Sequence, residues 1–301
     1  VLAASRHCFE NFDNTSLGET EMPRLTQTEK AELFLSLHHG PRILVLPNAW
    51  DVASARIFED AGFPAIATTS SGIANSLGYP DGQVICRDEM LEVVARIVRA
   101  VVVPVTADME AGYGKTPDDM AATARAVIQA GAVCLNLEDA IGEGSGELFE
   151  VKLQQEKIRA MIDAAKKMGV VLVLNARTDI YLEEIGEAST RAALTIERLN
   201  AYGEAGAPCL FAPGVKDAAT IEQLARGVRG PLNILGVAGV PPVQTLEKMG
   251  VARVSVGGGP MRVTMAVVSR IAKRLRDDGD FTAIFGEAMP FAEANHLMAK
   301  R

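Results

Sequence analysis

The chain has 301 residues, 48% of them apolar, which is enough to bury the core of one large domain or two ordinary ones. A formal charge of −8, 5% aromatic residues and the lack of a basic stripe argue against nucleic acid as a partner. An acidic chain can still take an acidic substrate where a cation or an arginine is placed locally.

No Pro/Ser-rich stretch, charge block or low-complexity run divides residues 40–275. One body is therefore expected over residues 25–301, with an N-terminal arm at 1–24. The first eighteen residues hold no long apolar segment, and the apolar run around 100–105 is too short to span a membrane. No membrane partner is expected. Cys8, Cys86, Cys134 and Cys209 form no CxxC pair, which argues against zinc or a disulfide scaffold. Buried thiols at 134 and 209 and a reducing cytoplasm fit this spacing.

In chain order, short β-rich runs occur at 43–46, 65–68, 103–107, 133–137, 171–175, 209–211, 232–235 and 253–256. They are apolar on both faces, as strands of a buried parallel sheet are. Helical patterns lie between them at 52–61, 88–99, 117–130, 153–168, 188–205 and 218–226. Several end in Ala-Gly or Met-Gly just before the next strand, where glycine takes the left-handed conformation that closes a helix. Strict alternation predicts a (β/α)8 TIM barrel. An open doubly wound sheet is the alternative, but the first strand runs into Pro47-Asn48-Ala49-Trp50-Asp51 rather than a glycine-rich turn. Gly257-Gly258-Gly259, after the last strand, reads first as a tight turn and second as a phosphate cradle.

In a barrel the chemistry gathers at the C-terminal strand ends. Those ends carry Thr69-Ser70-Ser71, Asp108-x-Glu110, Glu138-Asp139 and Arg177-Thr178-Asp179. A single acid there is commonly a helix N-cap. Four acids on two neighbouring ends would raise one another's pKa, a conflict that a divalent cation removes. Carboxylates without nearby His or Cys suit Mg2+ or Mn2+ rather than zinc. Arg177 offers a planar fork for a substrate carboxylate, or else a salt bridge to Glu138 or Asp179. His7, His38, His39 and His296 all lie near the chain ends, which excludes a Ser-His-Asp mechanism, and no strand-end lysine supports a Schiff base.

Leu46-Pro47-Asn48-Ala49-Trp50-Asp51, the stretch from Ser70 to Leu77-Gly78-Tyr79-Pro80-Asp81, Asp108-x-Glu110-x-Gly112-Tyr113-Gly114, Leu137-Glu138-Asp139 and Asn175-Ala176-Arg177-Thr178-Asp179 together resemble the isocitrate lyase/phosphoenolpyruvate mutase superfamily. The resemblance runs from about residue 30 to 275. It implies a barrel whose last helix is swapped between subunits of a homodimer or homotetramer. It further implies Mg2+ near Asp108, Glu110 and Glu138, with Asp81 close by. A substrate carboxylate would be held by Arg177, Thr69, Ser70 and Ser71, Asn233 would reach its distal part, and Arg177, Asp81 and Glu138 would carry the chemistry.

One loop departs from the pattern. The isocitrate-lyase branch has Lys-x-Cys-Gly-His after strand four, and the mutase branch has a lysine and an asparagine there. Residues 140–149 here contain none of these and three glycines instead, as a mobile lid would. The expected activity is a Mg2+-dependent carbon–carbon lyase acting on a small 2-oxo or 2-hydroxy carboxylic acid through a pyruvate-like enolate. Carbon–phosphorus cleavage of a phosphonopyruvate-like substrate and non-catalytic 2-oxo-acid binding are the alternatives.

Overall fold

A computed structural model of the chain describes residues 25–142 and 144–299. The expected arm at 1–24 lies outside the described residues, as does Glu143. The first strand is made in two pieces, β1 (Leu44–Leu46) and β2 (Asn48–Ala49), with Pro47 between them. Next come β3 (Ile66–Thr68), β4 (Val105–Asp108), β5 (Cys134–Leu137), β6 (Val173–Arg177), β7 (Cys209–Ala212), β8 (Leu232–Leu235) and β9 (Arg253–Ser255). All pairings are parallel, in the order β1-β9-β8-β7-β6-β5-β4-β3-β2.

Because β1 and β2 are successive parts of one run, this order closes on itself as the predicted (β/α)8 barrel. Pro47 marks the switch. It has no N–H to continue the ladder, and its carbonyl accepts instead from Ala67 N at 2.8 Å on the opposite side. Asn48 secures the same seam. Its Nδ2 donates to Thr68 O at 2.7 Å, and its Oδ1 accepts from Val256 N and Gly257 N, each at 2.9 Å. The Gly257 turn, at φ +52°, is thus a tight turn tied to the first strand.

The surrounding helices are α1 (Gln27–Leu37), α2 (Val52–Asp60), α3 (Ser70–Ser76), α4 (Arg87–Ala100), α5 (Pro117–Gln129), α6 (Val151–Lys167), α7 (Arg191–Glu204), α8 (Ala218–Gly227) and α9 (Val243–Lys248). The chain ends in α10 (Gly259–Asp277), α11 (Phe281–Phe285) and α12 (Phe291–Ala299). The six predicted helices form within three residues of the expected bounds. The helix-closing glycines Gly62, Gly131, Gly169, Gly206 and Gly250 all take positive φ, between +73° and +106°.

Helix α1 closes the barrel floor. A capping box between Thr26 and Glu29 starts it, and Phe34 buries itself against Leu44, Leu46, Ala67 and Val173. His38 ends it with its ring edge-on to Phe34, 4.9 Å between centroids, and Nδ1 donating to Phe34 O at 2.8 Å. Burial, then the Arg253 charge, hold this imidazole down at about 3. Above pH 6.5 it is neutral whether folded or unfolded. Between 6.5 and about 3 the unfolded chain takes up a proton that the folded chain refuses, so stability is lost as pH falls, by up to about 4 kcal/mol. Replacing His38 by Gln should flatten the fall of Tm between pH 6 and 4. An unchanged slope would contradict this assignment.

The cysteine expectation holds for the described positions. Cys134 and Cys209 are buried free thiols, and burial pushes Cys209 up to about 12. No described helix is long and apolar enough to cross a membrane.

Candidate active site

A cavity of about 440 Å3 opens at the C-terminal ends of the strands. Of the four acids expected there, Asp108, Glu110 and Glu138 line it. Asp139 does not. It is fully buried behind Glu138, where its carboxylate accepts from Asp179 N at 2.9 Å, Tyr202 OH at 2.7 Å and Arg198 Nη1 at 3.2 Å. Arg198 also donates to Phe149 O at 2.9 Å, so this network anchors both ends of the 140–148 loop to α7. Arg198 and Tyr202 carry no sequence signal beyond their i, i+4 spacing.

Asp108 ends β4 with both carboxylate oxygens engaged. Oδ2 accepts from Ser70 N at 3.0 Å and Ser70 Oγ at 2.9 Å, and Oδ1 accepts from Asn136 Nδ2 at 3.1 Å. Ser70 is therefore a clamp on Asp108, while Thr69 and Ser71, whose hydroxyls lie 3.1 Å apart, line the cavity beside it. Glu110 is nearly buried and takes a left-handed φ of +49°. Its Oε1 accepts from Tyr113 OH at 3.3 Å. Burial, reinforced by the charges of Asp108 and Asp81, pushes its carboxyl up to about 7. The described non-glycine residues with positive φ are Gln83, Glu110, Tyr113 and Glu184, all on mouth loops, so backbone strain is concentrated at this site.

Arg177 bridges two carboxylates. Nη1 donates to Glu138 Oε1, and Nε donates to Asp179 Oδ1 at 2.6 Å. The salt bridge that the sequence left as an alternative role is thus present, to both candidates at once. Nη2 has no hydrogen-bond partner among the described residues, and Arg177 lines the cavity. Burial raises the Glu138 carboxyl well above its usual range, with Arg177 opposing.

Asp81 lines the cavity from the α3–α4 loop, beside Gln83, which the sequence did not single out. Asn233 is placed differently from the other expected residues. It is fully buried below the mouth, within 3.2 Å of Ser255 Oγ, and does not line the cavity. The residue of β8 that does so is Leu235, two positions on, which shares the face of Asn233 but lies one layer nearer the C-terminal mouth.

The expected lid folds over this mouth. Gly142 and Gly144 line the cavity, and Glu183 holds the loop by accepting from Gly144 N at 2.9 Å and Gly146 N at 2.7 Å. Each charge-assisted bond is worth roughly 1.5–3 kcal/mol. Glu183→Gln should speed amide hydrogen exchange across residues 140–148 at least severalfold. Unchanged exchange would show that Glu183 does not latch the loop. None of the described histidines lines the cavity.

Oxygen-only acids facing one arginine beneath a glycine lid, on a closed parallel barrel, define an enzyme of the isocitrate lyase/phosphoenolpyruvate mutase type. The chain belongs to the phosphoenolpyruvate phosphomutase family, which it matches over residues 34–276. It is 29% identical over 265 residues to a 2-methylisocitrate lyase of Halalkalibacterium halodurans, covering 86% of each chain. It is 33% identical over 252 residues to an oxaloacetate decarboxylase of Ectopseudomonas mendocina, covering 79% of this chain and 82% of that one. A solved structure from Burkholderia cenocepacia J2315 superposes with a TM-score of 0.85 at 39% identity, covering 91% of this chain and 97% of that chain. These relatives place the chain among lyase-type members of the superfamily.

Proposed function

We propose that the protein is a Mg2+-dependent carbon–carbon lyase acting on a small 2-oxo or 2-hydroxy carboxylic acid through a pyruvate-like enolate. The observation that carries this is the set of Asp108, Glu110 and Glu138 facing Arg177 in one lidded cavity. The names of the two curated relatives, a lyase and a decarboxylase, support carbon–carbon cleavage.

The donor set fits Mg2+ or Mn2+. It is all oxygen, and Glu110, beside Asp108 and Asp81, carries a like-charge conflict that a bound cation would relieve. No group of three His, Cys, Asp or Glu side chains among the described residues is set to ligate an ion directly. Asp108 is committed to Ser70 and Asn136, and Glu138 to Arg177. That suits an ion that keeps several waters and takes only one or two carboxylates directly. When bound, the ion would supply positive charge where the 2-oxo oxygen becomes negative.

The chain supplies the rest. Arg177 directs its Nη2 edge at the substrate carboxylate, held in place by Glu138 and Asp179. Thr69 and Ser71 offer hydroxyls to the same group. Asp81, on a loop rather than a strand, is the carboxylate we assign to moving a proton at the substrate hydroxyl. The lid excludes water while negative charge develops. A screen of 2-oxo and 2-hydroxy acids with Mg2+, read by release of a 2-oxo-acid product, tests the reading. Release of phosphate from a phosphonate instead would favour carbon–phosphorus cleavage.

We further propose a homodimer or homotetramer, in a reducing cytoplasm that suits the free thiols. None of the 19 residues of α10 is buried, although Val263, Met265, Val267 and Val268 lie on it. An amphipathic helix whose apolar residues stay exposed in its own chain needs a partner elsewhere. Val263→Asp combined with Val268→Asp should reduce the assembly to monomers in light scattering. An unchanged mass would separate α10 from the subunit interface.

A further inference from the structure

The base of the lid is zipped. Ala140 and Leu148 form an antiparallel bridge, and Ile141 N donates to Glu147 O at 3.1 Å. Gly142, Gly144 and Gly146 lie between those paired ends. Phe149 is the foot on which the loop returns. Its N–H donates to Asp139 O at 2.8 Å, its carbonyl accepts from Arg198 Nη1 at 2.9 Å, and the residue is buried.

Helix α6 starts two residues later and carries two buried polar side chains on one face, Gln154 and Lys157. Gln154 Nε2 donates to Glu138 O at 3.0 Å, where the lid departs. The Lys157 ammonium sits over the Phe149 ring, 3.2 Å from its centroid, where the lid returns. Lys157 is 0% exposed, and its Nζ has no hydrogen-bond partner among the described residues. Burial pulls its pKa down to about 8, opposed by the charges of Asp119 on α5 and Asp139 after β5, so the cation is present at pH 7.

A buried ammonium without hydrogen bonds lowers stability, and a methionine would fill the same space without that cost. What the cation adds is direction. Apolar packing is non-directional, whereas a cation–π contact holds the ring face over the charge. We propose that Lys157 is a positioning residue that pins the foot of the lid through the Phe149 ring, so that opening and closing are confined to the glycine stretch. This rests on the reading of residues 140–148 as the lid of a 2-oxo-acid cavity.

The first measurement needs no substrate. In Lys157→Met, amide hydrogen exchange of the ligand-free protein should speed at Ile141, Leu148 and Phe149 by at least about threefold, within the range of one cation–π contact. Its Tm should be equal to the parent's or higher, because a buried charge is gone. Phe149→Leu should speed exchange alike, Phe149→Tyr, which keeps a ring face, should not, and Lys157→Met should add nothing to Phe149→Leu. Parental exchange in Lys157→Met, or additive effects in the double variant, overturns the proposal and makes Lys157 a packing residue. Should Lys157→Met fail to fold, the Phe149 pair decides alone: faster exchange with Leu but not with Tyr supports the anchor, and equal exchange overturns it. With an acid that the turnover screen identifies, Lys157→Met should raise KM at least about threefold and leave kcat within about twofold, because fewer molecules hold the lid ready to bind. If no acid turns over, the 2-oxo-acid reading fails while the exchange result still decides the anchor.

Discussion

Asp108→Ala is expected to lower kcat by at least about a hundredfold, the range seen when one preorganised charge-stabilising group is removed. Two effects combine. The variant loses a carboxylate that helps attract the ion, and it releases the geometry of the mouth. Ser70 N, Ser70 Oγ and Asn136 Nδ2 all converge on Asp108, and Asn136 in turn accepts from Asn175 Nδ2 at 2.7 Å. The substitution is thus not neutral for stability, as a strand-end charge in an open mouth would be. Asp108 is only 8% exposed, and losing its bonds should cost roughly 2–4 kcal/mol, readable as a lower Tm. Kinetics on protein verified as folded by circular dichroism separate the two effects. Turnover within a few-fold of the parent would remove Asp108 from the site.

Arg177→Lys is expected to be nearly as damaging, although the charge is kept. The guanidinium reaches Glu138 through Nη1 and Asp179 through Nε, leaving Nη2 for substrate. A lysine ammonium is a point charge and cannot serve three directions in one plane. Either Glu138 or Asp179 loses its cation. The Asp179 side chain is only 2% exposed, so the orphaned charge would be costly there. Substrate binding should weaken by roughly 1–3 kcal/mol, a loss of about five- to 150-fold in kcat/KM. The structural half of the effect should appear as a lower Tm. Parental kinetics with a lower Tm would make Arg177 a purely structural bridge.

Much of the fold is legible because the barrel repeats one simple rule. Apolar runs, helices and closing glycines alternate, and each signal is local. What escapes is what depends on partners far along the chain. The first strand reads as residues 43–46, whereas Asn48 and Ala49 also pair, because Pro47 separates two ladders that belong to different neighbours. Asp139 and Glu138 are adjacent and chemically alike in sequence. Strand alternation turns Glu138 into the cavity and Asp139 away from it, to Tyr202 and Arg198 more than fifty residues later. Depth along one face of β8 hides Asn233 and presents Leu235 at the mouth. Glu183 lay in no motif, and its role comes only from the loop that folds back onto it. For the last helix the resemblance implies only a swap between subunits, and the structure adds that none of the residues of α10 is buried.

The most direct test of the central claim is turnover of one identified 2-oxo or 2-hydroxy acid before and after exhaustive chelation, with Mg2+ then restored. Loss of product on chelation and recovery on adding Mg2+ is the expected result, with a carbon–carbon cleavage product identified by mass. Undiminished turnover in the fully chelated protein would contradict it.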